Sequence, residues 1–302
     1  MKIKPKIYAC SSRRSISGLS RIIRLLKPEI DVIRINDSSE IARYQAENKN
    51  GNGNKDFKLL LHNICCIEPD IIKHSLIFGL QSVAITLLKD KFRDKFIENP
   101  PLALWVNSKS AQRRLAEVGI ASKVMYRPNE ITFSNQYIPP VSTDKKRVLW
   151  YWKEGRADFK QHKQIIIDAV RQLPDIEFLF FPVIEAPIKA DNVSVLSRIN
   201  IAEYCKSVLG MVRVSSEFDL GRSIYEVAAN GRWTLTYKLD EPFTIPITND
   251  LNSNHLAERI QYCCDNFGDD YGLQLWNYTR DNFNETVLRK QWIDGIKQVF
   301  NL

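Results

Sequence analysis

Four kinds of side chain in the second half of this 302-residue chain have the types and spacing to handle a phosphorylated ligand. The stretch Ser215-Ser216-Glu217-Phe218-Asp219-Leu220-Gly221-Arg222-Ser223 is polar, carries two carboxylates and a glycine, and follows an apolar run from Val208 to Val214 with Gly210 inside it. Ser223 to Ala229 then reads as a short helix that stops at Asn230-Gly231, where a left-handed cap is accessible. A strand, a glycine-bearing turn and a helix start place backbone N–H groups and a positive helix end at one point, which suits an anion. Glu226 falls in the expected first turn and would accept hydrogen bonds from the hydroxyls of a sugar attached to that anion. Upstream, Gly155, Arg156 and Lys160 supply a turn, a guanidinium fork and a point charge for a diphosphate. Gly221, Arg222 and Ser223 would add helix-start donors. Together they describe a nucleotide-diphosphate site, and it is not of the P-loop kind, because no Gly-x4-Gly-Lys-Ser/Thr occurs. An ordinary loop between a core strand and a surface helix accounts for the 215–231 stretch equally well when it is taken alone.

The elements that must hold these residues alternate. Strands are expected at Lys6–Cys10, Asp31–Ile35, Phe57–His62, Ala103–Val106, Arg147–Trp152, Ile176–Val183, Val193–Leu196 and Thr234–Tyr237. Helices are expected after Gly18, where Leu19, Ile22, Ile23 and Leu26 share one face, around Ile71–Leu88, from Ser108 to Glu117 with a stop at Gly119, over Gln164–Leu173, over Ile201–Val208, and from about Leu273 to Val299. Lys153–Lys160 reads as a loop. This alternation predicts an α/β chain of two doubly wound, Rossmann-like domains with a cleft between them. The expected division is an N-terminal acceptor-side domain over 1–138, a proline-marked linker over 139–146, a donor domain over 147–272, and a helical tail over 273–302 returning to the first domain. Trp276, Phe283, Trp292, Ile293, Ile296 and Phe300 would form its packing face. Ligands of such sheets bind beyond the carboxyl ends of strands. In the first domain that edge would be lined by Ser12, Arg13, Arg14 and Gly18 from one loop and by His62 from another, although His62 also suits a purely structural place at a strand end.

Composition bounds the partners. The net charge of +8 is uneven: residues 1–140 hold 23 Lys+Arg against 13 Asp+Glu, and the remainder holds 20 against 22. The basic half, with Arg21, Arg24 and Lys27 along one helix, predicts an anionic acceptor, a membrane surface or DNA as its partner. The start Met1-Lys2-Ile3-Lys4-Pro5-Lys6 does not read as a signal peptide, and Ser75–Leu88 is too short to span a bilayer. A cytoplasmic protein, peripheral at the membrane, is expected. Six cysteines without a Cys-x-x-Cys pair predict free thiols and no zinc site.

The order of features resembles that of GT-B glycosyltransferases, in particular the large retaining family with a Glu-x7-Glu motif. Val106-Asn107-Ser108, Gly119-Ile120 and Tyr126-Arg127-Pro128-Asn129 resemble the end of that family's acceptor domain. Val148-Leu149-Trp150-Tyr151 with Gly155-Arg156 and Lys160, then Asp168-Ala169 and Leu173, resemble the opening of its donor domain. Tyr204-Cys205-Lys206-Ser207 and Ser215 precede Gly221, Glu226, Ala228 and Gly231, which fit the donor motif. The likeness runs from about Ala103 to the C-terminus. It implies a metal-independent hexosyltransferase without a cofactor, moving a sugar from a nucleotide-diphospho-sugar to a glycan or lipid-linked acceptor with retention. It also implies catalytic roles for Arg156 and Lys160 at the leaving diphosphate. Phe218 stands where the family has its first glutamate, so Glu217 or Asp219 would take that carboxylate's catalytic place. Modified bases in DNA as acceptor, a nucleotide-sugar 2-epimerase, and a non-catalytic GT-B-like binding subunit are the alternatives.

Overall fold

The computed structural model describes residues 4–11, 16–35, 40–41, 58–62, 69–79, 87–126, 136–141, 145–152, 157–197, 199–214 and 220–302. The chain forms two compact units, one of residues 1–129 with 285–302 and one of residues 130–284. Each is built on a six-stranded, wholly parallel sheet.

In the first unit the strands are β1 (Lys6–Ser11), β2 (Asp31–Ile35), β3 (Leu59–His62), β4 (Ser75–Gly79), β5 (Ala103–Val106) and β6 (Lys123–Val124). They lie in the order β2-β1-β3-β4-β5-β6. Apolar runs such as Leu59-Leu60-Leu61 and Leu76-Ile77-Phe78 are buried, as parallel strands covered on both faces must be. The expectation of helix across 71–88 is corrected here. A one-turn helix, Pro69–Ile72, precedes β4, which is buried along its whole length. A short apolar run carries no period that separates a doubly covered strand from a buried helix. A further helix, Asp90–Glu98, follows. The helix Lys109–Glu117 starts as its sequence predicts: Ser108 Oγ accepts from the Ala111 N–H at 3.1 Å. It ends at Gly119, whose φ of +80° is left-handed and costs a glycine little.

The core of this unit is closed by the last helix, Glu285–Phe300, through Trp292, Ile293, Ile296 and Phe300. Trp292 meets Trp105 and Phe78 edge-on, with ring centroids 5.4 and 4.8 Å apart, and its indole N–H donates to the Tyr126 carbonyl at 2.9 Å. Gly295 permits the approach, since a Cβ there would lie 2.8 Å from the Trp105 ring. The helical tail expected from residue 273 divides at Asn284. The helix Asp269–Phe283 stays with the second unit, with Phe283 against Phe243 and Tyr225 at 4.9 and 5.6 Å.

The second unit contains β7 (Lys146–Tyr151), β8 (Ile176–Phe181), β9 (Val193–Val195), β10 (Gly210–Arg213), β11 (Trp233–Tyr237) and β12 (Ile245–Ile247), ordered β12-β11-β10-β7-β8-β9. Val148, Trp150, Phe178, Phe180, Val212 and Trp233 lie at the centre of its core, and Trp150 stacks on Phe180 at 5.4 Å. Gly210 in β10 leaves room for the Trp233 ring, which a Cβ at that position would overlap. The helix expected over Gln164–Leu173 begins earlier, at Ala157, and ends at Arg171. Lys160 is therefore a helical residue and not part of a loop. The first two turns carry few apolar residues, so the period becomes visible only where Ile166, Ala169 and Val170 enter the core.

Candidate functional site

Read in chain order, the second sheet runs 3-2-1-4-5-6, and its order reverses between β7 and β10. These strands pair directly, Val148 with Gly210 and Trp150 with Val212. In open parallel sheets the crevice beyond the carboxyl ends of such a strand pair is where ligands bind. Residues 152–156 leave β7 at this edge and residues 214–221 leave β10. The two segments singled out from sequence as phosphate-binding therefore each follow, in the chain, one of the two strands at this switch point. Gly155, Arg156, Glu217 and Asp219 lie outside the described residues; Lys160 is the fourth residue of the helix Ala157–Arg171.

The helix Arg222–Ala229 begins at this edge. Gly221 is its cap residue, extended at φ −82° and ψ 162°, and offers no side-chain acceptor to the first-turn N–H groups. The Ile224 N–H already reaches the Gly221 carbonyl at 3.1 Å, which tightens the first turn. Ser223 is buried and its Oγ accepts from Arg213 Nη1 at 2.6 Å. Glu226 needs a correction. Because the helix starts at Arg222, Glu226 is its fifth residue and opens the second turn, where it accepts from Arg222 Nε at 2.7 Å. The pair is an i,i+4 bridge with Arg222 half exposed and Glu226 about a fifth exposed. The bridge orients this carboxylate and leaves part of it open to solvent.

The helix is fixed at both ends. Tyr225 packs on Phe243 at 5.1 Å, and Thr279 Oγ1 lies 3.3 Å from the Ala228 carbonyl. After the cap, Gly231 takes φ +69°, and a Cβ there would lie 2.5 Å from the Gly272 carbonyl and 2.6 Å from the Tyr137 ring. Arg232 is 2% exposed. It donates to the carbonyls of Cys205 and Ile138 at 2.7 and 2.8 Å. Burial lowers its pKa, raises that of Tyr137 beside it, and pushes the Cys205 thiol up to about 12. The segment expected as linker is anchored here as well: the Val141 N–H donates to the Lys206 carbonyl at 2.7 Å.

In the first unit the sheet order reverses between β1 and β3, and Ser11 pairs with His62 at the carboxyl edge. Of the acceptor-side expectations, His62 is the last residue of β3 and Gly18 lies in the helix Ile16–Leu26. Ser12, Arg13 and Arg14 lie outside the described residues. An apolar cavity of about 270 Å³, lined by Phe96, Pro101, Leu104 and Ile120 among others, sits by the amino ends of β5 and β6, the edge away from this reversal, and no titratable side chain lines it. Among the described residues, no helix is long and apolar enough to cross a membrane, and no group of three or more His, Cys, Asp or Glu could hold a metal ion.

Sequence inspection missed Arg213, Tyr151 and Arg232. Arg213 had one visible signal, a lone cation near the end of the apolar run Val208–Val214. Its partner Tyr151 entered only as the end of the strand Val148–Tyr151, because a tyrosine ending a strand looks like ordinary core.

No family model matches the sequence, and comparison with curated proteins likewise finds no match. Solved structures do match over nearly the whole chain. Sucrose-phosphate synthase from Thermosynechococcus elongatus aligns with a TM-score of 0.68 at 12% identity, covering 99% of this chain and 100% of that one. UGT71G1 of Medicago truncatula, complexed with UDP-glucose, aligns at 0.56 and 10% identity over 98% of each chain. The MnaA–UDP structure from S. aureus aligns at 0.56 and 14% identity over 99% of this chain and 97% of that one. The chain therefore has a GT-B glycosyltransferase-like fold: two parallel six-stranded sheets, each flanked by helices.

Proposed function

We propose that the protein is a glycosyltransferase that takes a sugar from a nucleotide-diphospho-sugar and attaches it, with retention, to a glycan or lipid-linked acceptor. The observation that supports this reading is the reversal of strand order between β7 and β10, at the edge where β10 ends and the Gly221 helix start follows. The same fold in structures that hold UDP-glucose or UDP supports a nucleotide sugar as donor.

In this reading Arg156 and Lys160 attract the diphosphate, and the first-turn N–H groups of the helix donate to its oxygens. Gly155 and Gly221 let the backbone approach it, Arg222 lies beside it, and Glu226 accepts from the ribose hydroxyls. The bond from the anomeric carbon to the phosphate oxygen breaks with its electron pair leaving on the diphosphate. The acceptor oxygen bonds to that carbon and gives up its proton to an oxygen of the departing diphosphate. Positive charge and helix dipole stabilise the departing group, so the step is proposed to run without metal or cofactor. Glu217 or Asp219 supplies the carboxylate next to the transferred hexose.

On the acceptor side we place Ser12, Arg13, Arg14, Gly18 and His62 along the β1–β3 edge. The first unit holds 26 Lys+Arg against 14 Asp+Glu, a net +12, while the second holds 17 against 21, a net −4. That contrast favours an anionic acceptor or an anionic membrane surface at the first unit, with the protein acting peripherally in the cytoplasm. A second reading, a binding subunit without transfer, is favoured by Phe218 at the position of the family's first glutamate.

The test is a binding panel of UDP-, GDP-, ADP- and CMP-sugars, followed by a donor-consumption assay on the best ligand. Glu226→Ala is expected to weaken donor affinity about 10- to 100-fold, as the loss of charge-assisted hydrogen bonds does. A wild-type protein that binds no nucleotide sugar overturns the reading. One that binds but never consumes the donor, with any acceptor class, supports the binding subunit.

A further inference from the structure

Two buried arginines stand at opposite ends of the helix Arg222–Ala229, and the helix field acts on them with opposite sign. Arg232 follows the C-terminal end, where the carbonyls carry partial negative charge, and it donates to the carbonyls of Asn230 and Gly231 at 3.1 and 3.3 Å. Arg213, 3% exposed, lies against the first turn, which is partially positive. A cation fixed at a helix N-terminus is opposed by the field there. An anion seated at the same helix start is attracted by both and removes that opposition.

The fold grips this guanidinium closely. Arg213 ends β10 and pairs in register with Thr236 of β11. Its guanidinium carbon lies 4.0 Å from the ring centroid of Tyr151, the last residue of β7 across the switch point. Its Nη1 donates to Ser223, the second residue of the helix, at 2.6 Å. A Cβ on Gly221 would fall 2.6 to 2.9 Å from the guanidinium atoms, so a side chain there would displace the guanidinium from its present place. One side chain thus ties together the end of β7, the end of β10 and the start of the helix.

We infer that Arg213 is a positioning residue for the donor diphosphate: it sets the Gly221 turn and the Tyr151 end of β7, and adds positive charge beneath the helix start. Lysine would keep the charge but lose the plane that stacks on Tyr151 and the fork that reaches Ser223. The inference rests on the donor reading above.

The experiment measures binding of UDP, GDP and ADP to the full chain by calorimetry, across a salt series, for wild type and for Arg213→Met, Arg213→Lys and Ser223→Ala, each checked for cooperative melting. For the diphosphate that wild type prefers, Arg213→Met is expected to raise Kd at least tenfold, about 1.4 kcal/mol, and to flatten its salt dependence. Arg213→Lys is expected to restore the salt dependence while leaving Kd intermediate. Ser223→Ala, which removes one hydroxyl, is expected to raise Kd about threefold, the scale of one modest hydrogen bond, and it carries the test if Arg213→Met does not fold. Gly221→Ala adds a double-mutant cycle, since its cost in affinity should shrink in an Arg213→Ala background where the added Cβ finds room. A folded Arg213→Met with lowered melting temperature and unchanged Kd and salt dependence makes Arg213 purely structural and overturns the inference. So does a Ser223→Ala protein binding like wild type together with no coupling between positions 213 and 221. Failure of wild type to bind any of the three diphosphates overturns the donor reading, and this inference with it.

Discussion

The two units carry sheets of the same size and strand direction, yet they differ in where the order reverses, in charge and in how their cores are completed. The first reverses between β1 and β3, carries net +12, and needs a helix from the far end of the chain to close its core. The second reverses between β7 and β10, carries net −4, and completes its core from one continuous stretch, 130–284. Parallel sheets need apolar faces on both sides, and that requirement says nothing about surface charge or about which helix covers a face. The shared fold thus leaves the two surfaces free to specialise, and it leaves the first unit with a long-range dependency that the second lacks.

The sharpest way to break that comparison is Trp292→Ala. Removing a buried indole that packs on Trp105 and Phe78 is expected to cost about 3–5 kcal/mol, all of it in the first unit. Denaturant unfolding followed with probes in each unit should show the first transition displaced and the second unmoved. Equal shifts in both would mean that the cores are not completed separately.

A matched pair comes next. Gly295→Ala would push a methyl into the Trp105 ring in the first unit, and Gly210→Ala would do the same to Trp233 in the second. Each is expected to cost about 1–3 kcal/mol through overpacking, and each should move only its own transition.

A third prediction uses pH and concerns the second unit. Burial pushes the thiols of Cys205, Cys263 and Cys264 up to about 12. These folded-state values lie above the unfolded value near 9, so their contribution to stability is complete below pH 9 and is lost as pH rises towards 12. The second transition should therefore fall to lower denaturant across pH 9–12, and Cys205→Ala should reduce that slope. A transition that stays flat through this range would contradict the burial of these thiols.

Smallest is Ser108→Ala, which removes the cap of the helix Lys109–Glu117 and is expected to cost about 1 kcal/mol in the first unit alone. A melting curve of the purified variant is sufficient to check it.

Several features were legible because they depend on neighbours in the chain. Ser108 and Gly119 bracket a helix through local hydrogen bonding and a left-handed turn, and Asn230-Gly231 ends another for the same reason. The run Val208–Val214 was legible as a strand, and the segment that ends at Asn230-Gly231 as a helix. Other features were not. β4 looked helical because a short buried run has no distinguishing period, and the start of the helix Ala157–Arg171 was hidden by its polar first turns. Glu226 was placed one residue too near the helix start, in the first turn, because the first helical residue, Arg222, is as polar as the loop before it.

What the sequence determined by itself is the alternation of strands and helices, the caps that bound them, and the short helix that stops at Asn230-Gly231. These follow from local propensity and backbone conformation. Only the tertiary structure decided that β7 and β10 are neighbours, that Tyr151, Arg213 and Ser223 meet beneath Gly221, and that the final helix closes the first unit. Those are pairings between residues far apart in the chain, set by sheet register and by which apolar face needs covering, and no local pattern encodes them.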